Sequence, residues 1–156
     1  MQKALRISSR IALQRKKQTG GFRGLSTVTV GGTGGSLWAN FVTAPNTPAG
    51  FTLKTAFDAV SNPTGATTML EQWKAGSAEP PHSHPGDDAT IVIEGTMRIQ
   101  FFTKQTGDKL IPDGMPLILR AGQTGYIAAN RIHDASYLTD CKLVYVHQGG
   151  FGFDGH

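Results

Sequence analysis

Glycine and proline cut this chain into apolar runs too short for anything but strands. Its 156 residues include 20 glycines and 8 prolines. They cluster in loops near 31–35, 45–50 and 62–65. Between the loops lie TVTV, LWANFV, FTLKTAF, TTMLEQW, TIVIEG, MRIQFF, PLILRAG, YIAAN and KLVYV, most of them rich in β-branched or aromatic residues. None carries a helical period. Short strands at close spacing predict an all-β sandwich or barrel. No internal repeat points to a solenoid or propeller. The economical division is a leader over 1–25, one β domain over 26–150, and a Gly-rich tail over 151–156, read as a loose strand or flap.

The formal charge of +4 belongs to the leader. Residues 1–25 hold Lys3, Arg6, Arg10, Arg15, Lys16, Lys17 and Arg23 and no acid, leaving eight basic and eleven acidic residues beyond them. The folded part is therefore mildly acidic and lacks the basic stripe of a nucleic-acid binder. A basic, serine-containing, acid-free leader has the composition of an organelle transit peptide, and FRGLST resembles a mitochondrial processing site. This predicts a mitochondrial protein in a eukaryote. In a bacterium the same residues read as an N-terminal arm of a cytoplasmic protein. No apolar run approaches the ~20 residues of a membrane span. Cys141 is the lone cysteine, so no intrachain disulfide forms; a small core or strand residue is its expected role, a nucleophile the rival one.

The chemistry concentrates in PPHSHPGDDATIVIEG. His82 and His84 are two apart, so on a strand both imidazoles face one way. Two such rings can share a metal at about 2.0–2.1 Å each. Asp88 follows a Pro85-Gly86 turn that can return its carboxylate to the same ion; Asp87 is its competitor as a solvated loop acid. A second segment, GQTGYIAANRIHDA, offers His133 after an Ala-Ala-Asn bend.

These two segments resemble the motif pair of the cupin superfamily. Gly76, five residues, His82-Ser83-His84, three residues, Asp88, six residues and Gly95 follow the first motif. Gly122, five residues, Ala128-Ala129-Asn130, two residues and His133 follow the second. Asp88 replaces the family's glutamate, Ala128 its proline, Asn130 its second glycine and Tyr137 its asparagine. Asn tolerates the left-handed conformation that glycine supplies. The resemblance implies a cupin-type double-stranded β-helix, or jelly-roll, barrel. It also implies one divalent metal ion per chain held by His82, His84, Asp88 and His133.

Four protein ligands leave two cis positions of an octahedral ion open. Nitrogen-rich, thiolate-free ligation suits Fe, Mn, Ni, Cu or Zn rather than calcium. Such a site fits an enzyme on a small organic molecule, most simply a dioxygenase-like oxidoreductase. A metal-dependent isomerase or lyase, or a non-catalytic metal or ligand sensor, is the alternative; the last predicts a pocket filled by side chains such as Phe101 or Phe102. Glu71, Trp73, Arg98, Tyr126 and His147 are the candidate pocket residues, each with a rival role on an outer face or in packing. His156 is expected to be loose. By resemblance, a homodimer covering a sheet edge is the expected assembly.

Overall fold

The computed structural model describes residues 36–60 and 65–156. The leader and the TVTV run lie outside the described residues. Among those described there is no helix, and hence none long and apolar enough to cross a membrane. Eleven strands follow one another: β1 (Phe51–Phe57), β2 (Ala66–Trp73), β3 (Ala78–Ser83), β4 (Asp88–Glu94), β5 (Thr96–Lys104), β6 (Leu110–Pro112), β7 (Leu117–Arg120), β8 (Thr124–Ile127), β9 (His133–Tyr137), β10 (Cys141–Gln148) and β11 (Asp154–Gly155).

The strands form two antiparallel sheets, in the orders β1-β2-β10-β4-β8 and β11-β3-β9-β5-β6, with β7 also pairing β5. This is the expected all-β jelly-roll barrel. One run departs from expectation. LWANFV forms no strand; only Val42 bridges to Leu53. Asn40, at φ 63°, turns the chain left-handed inside that run and breaks any extended pairing.

Alternation explains which faces are buried. Along β10, Cys141, Leu143, Tyr145 and His147 are buried, while Lys142, Val144 and Val146 are only half-buried. The same rule sends Val92, Met97, Ile99, Leu119, Ile127 and Ala135 inward. Phe51, Trp73 and Tyr137 form a continuous ring stack, with centroids 4.2 and 4.1 Å apart. These residues bound a cavity of about 420 Å³ between the sheets.

Two turns set the register of the motif segments. Gly95, at φ 95°, joins β4 to β5, and a Cβ there would meet the Asp140 carbonyl oxygen at 2.2 Å. Asn130 stands at φ 61°, in the left-handed conformation that its substitution for glycine requires, and its N–H donates to the His84 carbonyl at 2.7 Å. That bond ties the two histidine-bearing segments together.

Gly95→Ala is expected to lower stability by clearly more than the about 1–2 kcal/mol of a left-handed alanine alone, because the backbone of Asp140 cannot retreat without breaking the turn. Gly107→Ala, at φ 80° with open space around it, should show only that conformational cost. Urea unfolding compares the two; equal losses would refute the close approach at Asp140.

Candidate metal centre

His82 closes β3 and His133 opens β9, and the two are direct cross-strand partners. His84 follows two residues after His82, just past the end of β3. Cross-strand pairing and the two-residue repeat therefore put three imidazoles on one inward face. Ring centroids lie 4.3 Å apart for His82–His133, 4.8 Å for His82–His84 and 5.5 Å for His84–His133. One nitrogen from each ring falls within 4.8 Å of the other two.

The tautomer of each ring follows from its other nitrogen. His82 Nδ1 is 2.8 Å from the Pro80 carbonyl, His84 Nδ1 2.7 Å from the Gly152 carbonyl, and His133 Nδ1 2.9 Å from the Arg131 carbonyl. A carbonyl only accepts, so each Nδ1 carries the proton and donates. Each Nε2 then carries a lone pair as long as the ring is neutral. Burial favours neutrality: it pushes His84 and His133 down to about 4, and His82 down as well, against the opposing backbone bonds. Three neutral rings with Nδ1 fixed on carbonyls are the donor set that a borderline divalent ion takes.

Carboxyl groups share the cavity. Asp88 is buried at 3% exposure, and neither of its oxygens has a hydrogen-bond partner. The Tyr145 hydroxyl lies beside it, also buried and without a well-formed bond. A buried, unpartnered carboxylate is costly, and a cation nearby would satisfy it. Asp88 does not join the tight cluster of the three nitrogens, though it lines the same cavity. Asp87 points the other way. It accepts from the Ala129 N–H at 2.8 Å and from Tyr126 Oη at 2.7 Å at the surface, bonds that hold its carboxyl below the usual carboxylate range.

Glu79 escaped the sequence reading. In a regular strand, positions 79 and 82 face opposite sides. Here the register between β3 and β9 slips between Glu79 and His82, with Pro80 and Pro81 inside the irregularity, and both side chains reach the cavity. Glu79 Oε2 is 3.7 Å from His82 Nε2, and Glu79 Oε1 accepts from Tyr137 Oη at 2.6 Å. A carboxylate facing a nitrogen lone pair is repulsive unless a proton or cation stands between them. The double proline was the available signal, since proline inside a strand marks a bulge or an edge.

The candidate pocket residues divide. Glu71 and Trp73 line the cavity, with Trp73 Nε1 donating to Glu71 Oε2 at 3.0 Å. Arg98, Tyr126 and His147 do not line it. Arg98 alternates with buried Met97 and Ile99, so it lies on the far side of β5, paired with Asp134 at 3.2 Å. Tyr126 is 63% exposed. His147 is fully buried, and its Nε2 accepts from the Gly86 N–H at 3.3 Å, supporting the Pro85–Asp87 turn behind His84. Phe101 and Phe102 leave the cavity unfilled. Cys141 is a buried core residue whose thiol burial pushes up.

The tail is part of the site. β11 pairs with His82 and Ser83 of β3, Phe153 stacks on His82 at 4.4 Å, and the Phe151 ring lies 5.2 Å from His84. His156, expected loose, places Nε2 2.9 Å from Ser83 Oγ and donates its backbone N–H to Pro81. Alternation of phenylalanine with glycine in GGFGFDGH was the readable sign, because it puts both rings on one face.

The profile of the ChrR cupin-like domain matches residues 39–151. Among solved structures, a cupin superfamily protein from Desulfitobacterium hafniense is 13% identical with a TM-score of 0.52, covering 69% of this chain and 84% of that one. Oxalate oxidase is 20% identical with a TM-score of 0.56, over 85% and 68%. Oxalate decarboxylase from Bacillus subtilis is 16% identical with a TM-score of 0.55, over 78% of this chain and 36% of its own. At these identities the likeness is one of fold. No curated protein matches the chain by sequence.

The buried acids predict an inverted pH response. Burial, then the charges of neighbouring acids, push Glu71 up to about 8, against the Trp73 bond, and Glu79 and Asp88 rise to about 7. Unfolded histidines, half protonated at about pH 6.5, have shed their protons by about pH 7.5, and the unfolded chain has by then released these carboxyl protons too. Above that the folded state alone still holds carboxyl protons, Glu71 foremost, so stability falls as pH rises from about 7.5 to about 9, by up to about 1.4 kcal/mol per pH unit for each proton held. Urea midpoints in chelator should fall across that window, and Glu71→Gln should flatten the slope. A midpoint that climbs with pH would contradict this burial.

Proposed function

Since this chain belongs to the ChrR cupin-like domain family, we propose that it is a metal-dependent cupin acting on a small organic molecule, most simply as a dioxygenase-like oxidoreductase. The convergence of three neutral imidazole nitrogens on one wall of a cavity of about 420 Å³ carries this reading. His82, His84 and His133 hold one divalent ion (Fe, Mn, Ni, Cu or Zn), and Asp88 is the fourth ligand. The orphaned Asp88 oxygens support that fit, since a cation would relieve them.

When bound, such an ion supplies Lewis acidity and, if redox-active, one-electron chemistry. The chain's own residues do the rest. The carbonyls of Pro80, Arg131 and Gly152 fix the orientation of the three rings. Phe151 and Phe153 shield the rings from water. Glu79 Oε2, beside His82 Nε2, is placed to hold a proton or release it toward a molecule in the cavity, and Tyr137 Oη keeps the opposite oxygen in place.

Elemental analysis of chelator-free protein tests the site. Wild type is expected to carry close to one transition-metal ion per chain, and His84→Ala to lose it together with the thermal stabilisation that a bound ion gives by mass action. Equal metal in the two proteins would remove the assignment. Asp88→Asn should weaken metal retention while Asp87→Asn leaves it unchanged; the reverse pattern would transfer the fourth position to Asp87. A redox metal together with oxygen uptake on a screened substrate supports the oxidoreductase reading. Zinc without turnover would favour a sensor.

A further inference from the structure

The walls of the cavity restrict what can enter it. Glu71, Glu79 and Asp88 all line it, and among the described residues no lysine or arginine does. Several cations close in sequence to the lining are engaged elsewhere: Lys74 with Asp140, Arg98 with Asp134, Arg131 with Asp113 and the face of Phe101, and Lys142 with Glu94. Three carboxyl groups with no lysine or arginine beside them form a wall that offers hydrogen-bond acceptors and no permanent cation for an anion to pair with. Apart from the three histidines and a few neutral polar residues such as Thr90, the rest of the lining is mostly apolar, with Met69, Ile99, Leu143 and Phe151 facing the space. Tyr145 adds a second polar point: its hydroxyl is buried, lines the cavity and has no partner.

From this we infer that the cavity takes a small apolar or aromatic molecule whose head group donates hydrogen bonds and carries no negative charge, an amine foremost and a hydroxyl next, and that it rejects carboxylates. An ammonium or hydroxyl donor directed at the free side of Asp88 satisfies an acceptor that is otherwise buried without a donor, and the oxygens of Glu71 and Glu79 not engaged by Trp73 and Tyr137 offer further acceptors. A protonated amine also brings the positive charge that this wall lacks. A carboxylate head finds no lysine or arginine in the lining to pair with, and its charge opposes ionisation of the acids around it, which is the stronger basis for discrimination. The inference deepens the proposed function and rests on that reading for the use of the ligand, whereas the acidic wall exists with or without an ion.

Benzylamine, benzyl alcohol and benzoate share one ring and differ in head-group charge, and oxalate adds a small dianion. Calorimetric titration of each into the full-length protein, as isolated and after chelation, measures the preference. Benzylamine is expected to bind at least tenfold more tightly than benzoate in both preparations, with benzyl alcohol between them and oxalate weakest. Replacing Glu71 and Glu79 by glutamine together should weaken benzylamine about tenfold and change benzyl alcohol less than threefold. A comparable loss for both ligands would mean a damaged fold and not a charge effect, and would overturn the assignment of the wall as the selector. Benzoate or oxalate binding as well as benzylamine, or no binding by any of the four, also overturns it. Metal content distinguishes the two ideas. A retained ion with benzoate preferred sinks this inference and keeps the metal reading. A benzylamine preference in protein that never holds an ion does the opposite.

Discussion

Three backbone carbonyls govern the geometry of the site. Each accepts a proton from one imidazole Nδ1, and so decides which nitrogen is free and where it points. None of the three lies in regular ladder structure. The Pro80 carbonyl comes from the irregular stretch of β3, the Arg131 carbonyl from the turn that follows Asn130, and the Gly152 carbonyl from the tail. A carbonyl outside a sheet ladder has both of its lone pairs open to a side chain. The departures from regular pairing are thus where the fold gains the acceptors that orient its histidines, and the regular strands supply the rigid frame around them.

That frame surrounds groups that burial pushes in opposite directions. Desolvation holds the imidazoles neutral by lowering their proton affinity, and holds Glu71, Glu79 and Asp88 neutral by raising theirs. Near neutral pH the empty cavity therefore favours a state with little net charge. A divalent ion changes this balance: it draws on the imidazole lone pairs and favours ionised carboxylates around it. A protein that buries three acids beside three histidines is less stable without a cation than with one, which is how a metal centre and the pH response of the fold become linked.

The frame was more legible in the sequence than the site's surroundings. Gly and Pro punctuation announced the strands. The spacing of His82, His84 and His133 survives in three dimensions because strand alternation and cross-strand pairing are short-range rules. Motif spacing favoured Asp88 over Asp87, and the structure separates them where the chain enters β4 at Asp88: Asp88 lines the cavity while Asp87, just before the strand, bonds Tyr126 at the surface. Arg98 fell on the wrong side because nothing in MRIQFF distinguishes the face of Met97 from that of Arg98 except hydrophobicity, and the hydrophobic face is the inner one. His147 was hard to place because a fully buried histidine with a backbone donor has no local signature.

Glu79 and the tail share a deeper cause. Both reach the site through irregular backbone, and a slipped register reverses the facing of every residue on one side of it. Counting from His82 by twos excludes Glu79; counting through the Pro80-Pro81 irregularity includes it. The tail enters through its pairing with β3 at the very residues that carry the site, so Phe153 covers His82 while Gly152 holds His84. Gly152 itself packs closely, since a Cβ there would come within 2.9 Å of the Pro85 ring. The last residues of the chain are therefore fixed by the same turn that separates His84 from Asp88. Ordering of the tail and orientation of the second histidine form one structural event, and any change that detaches Gly152 also frees the His84 ring to rotate.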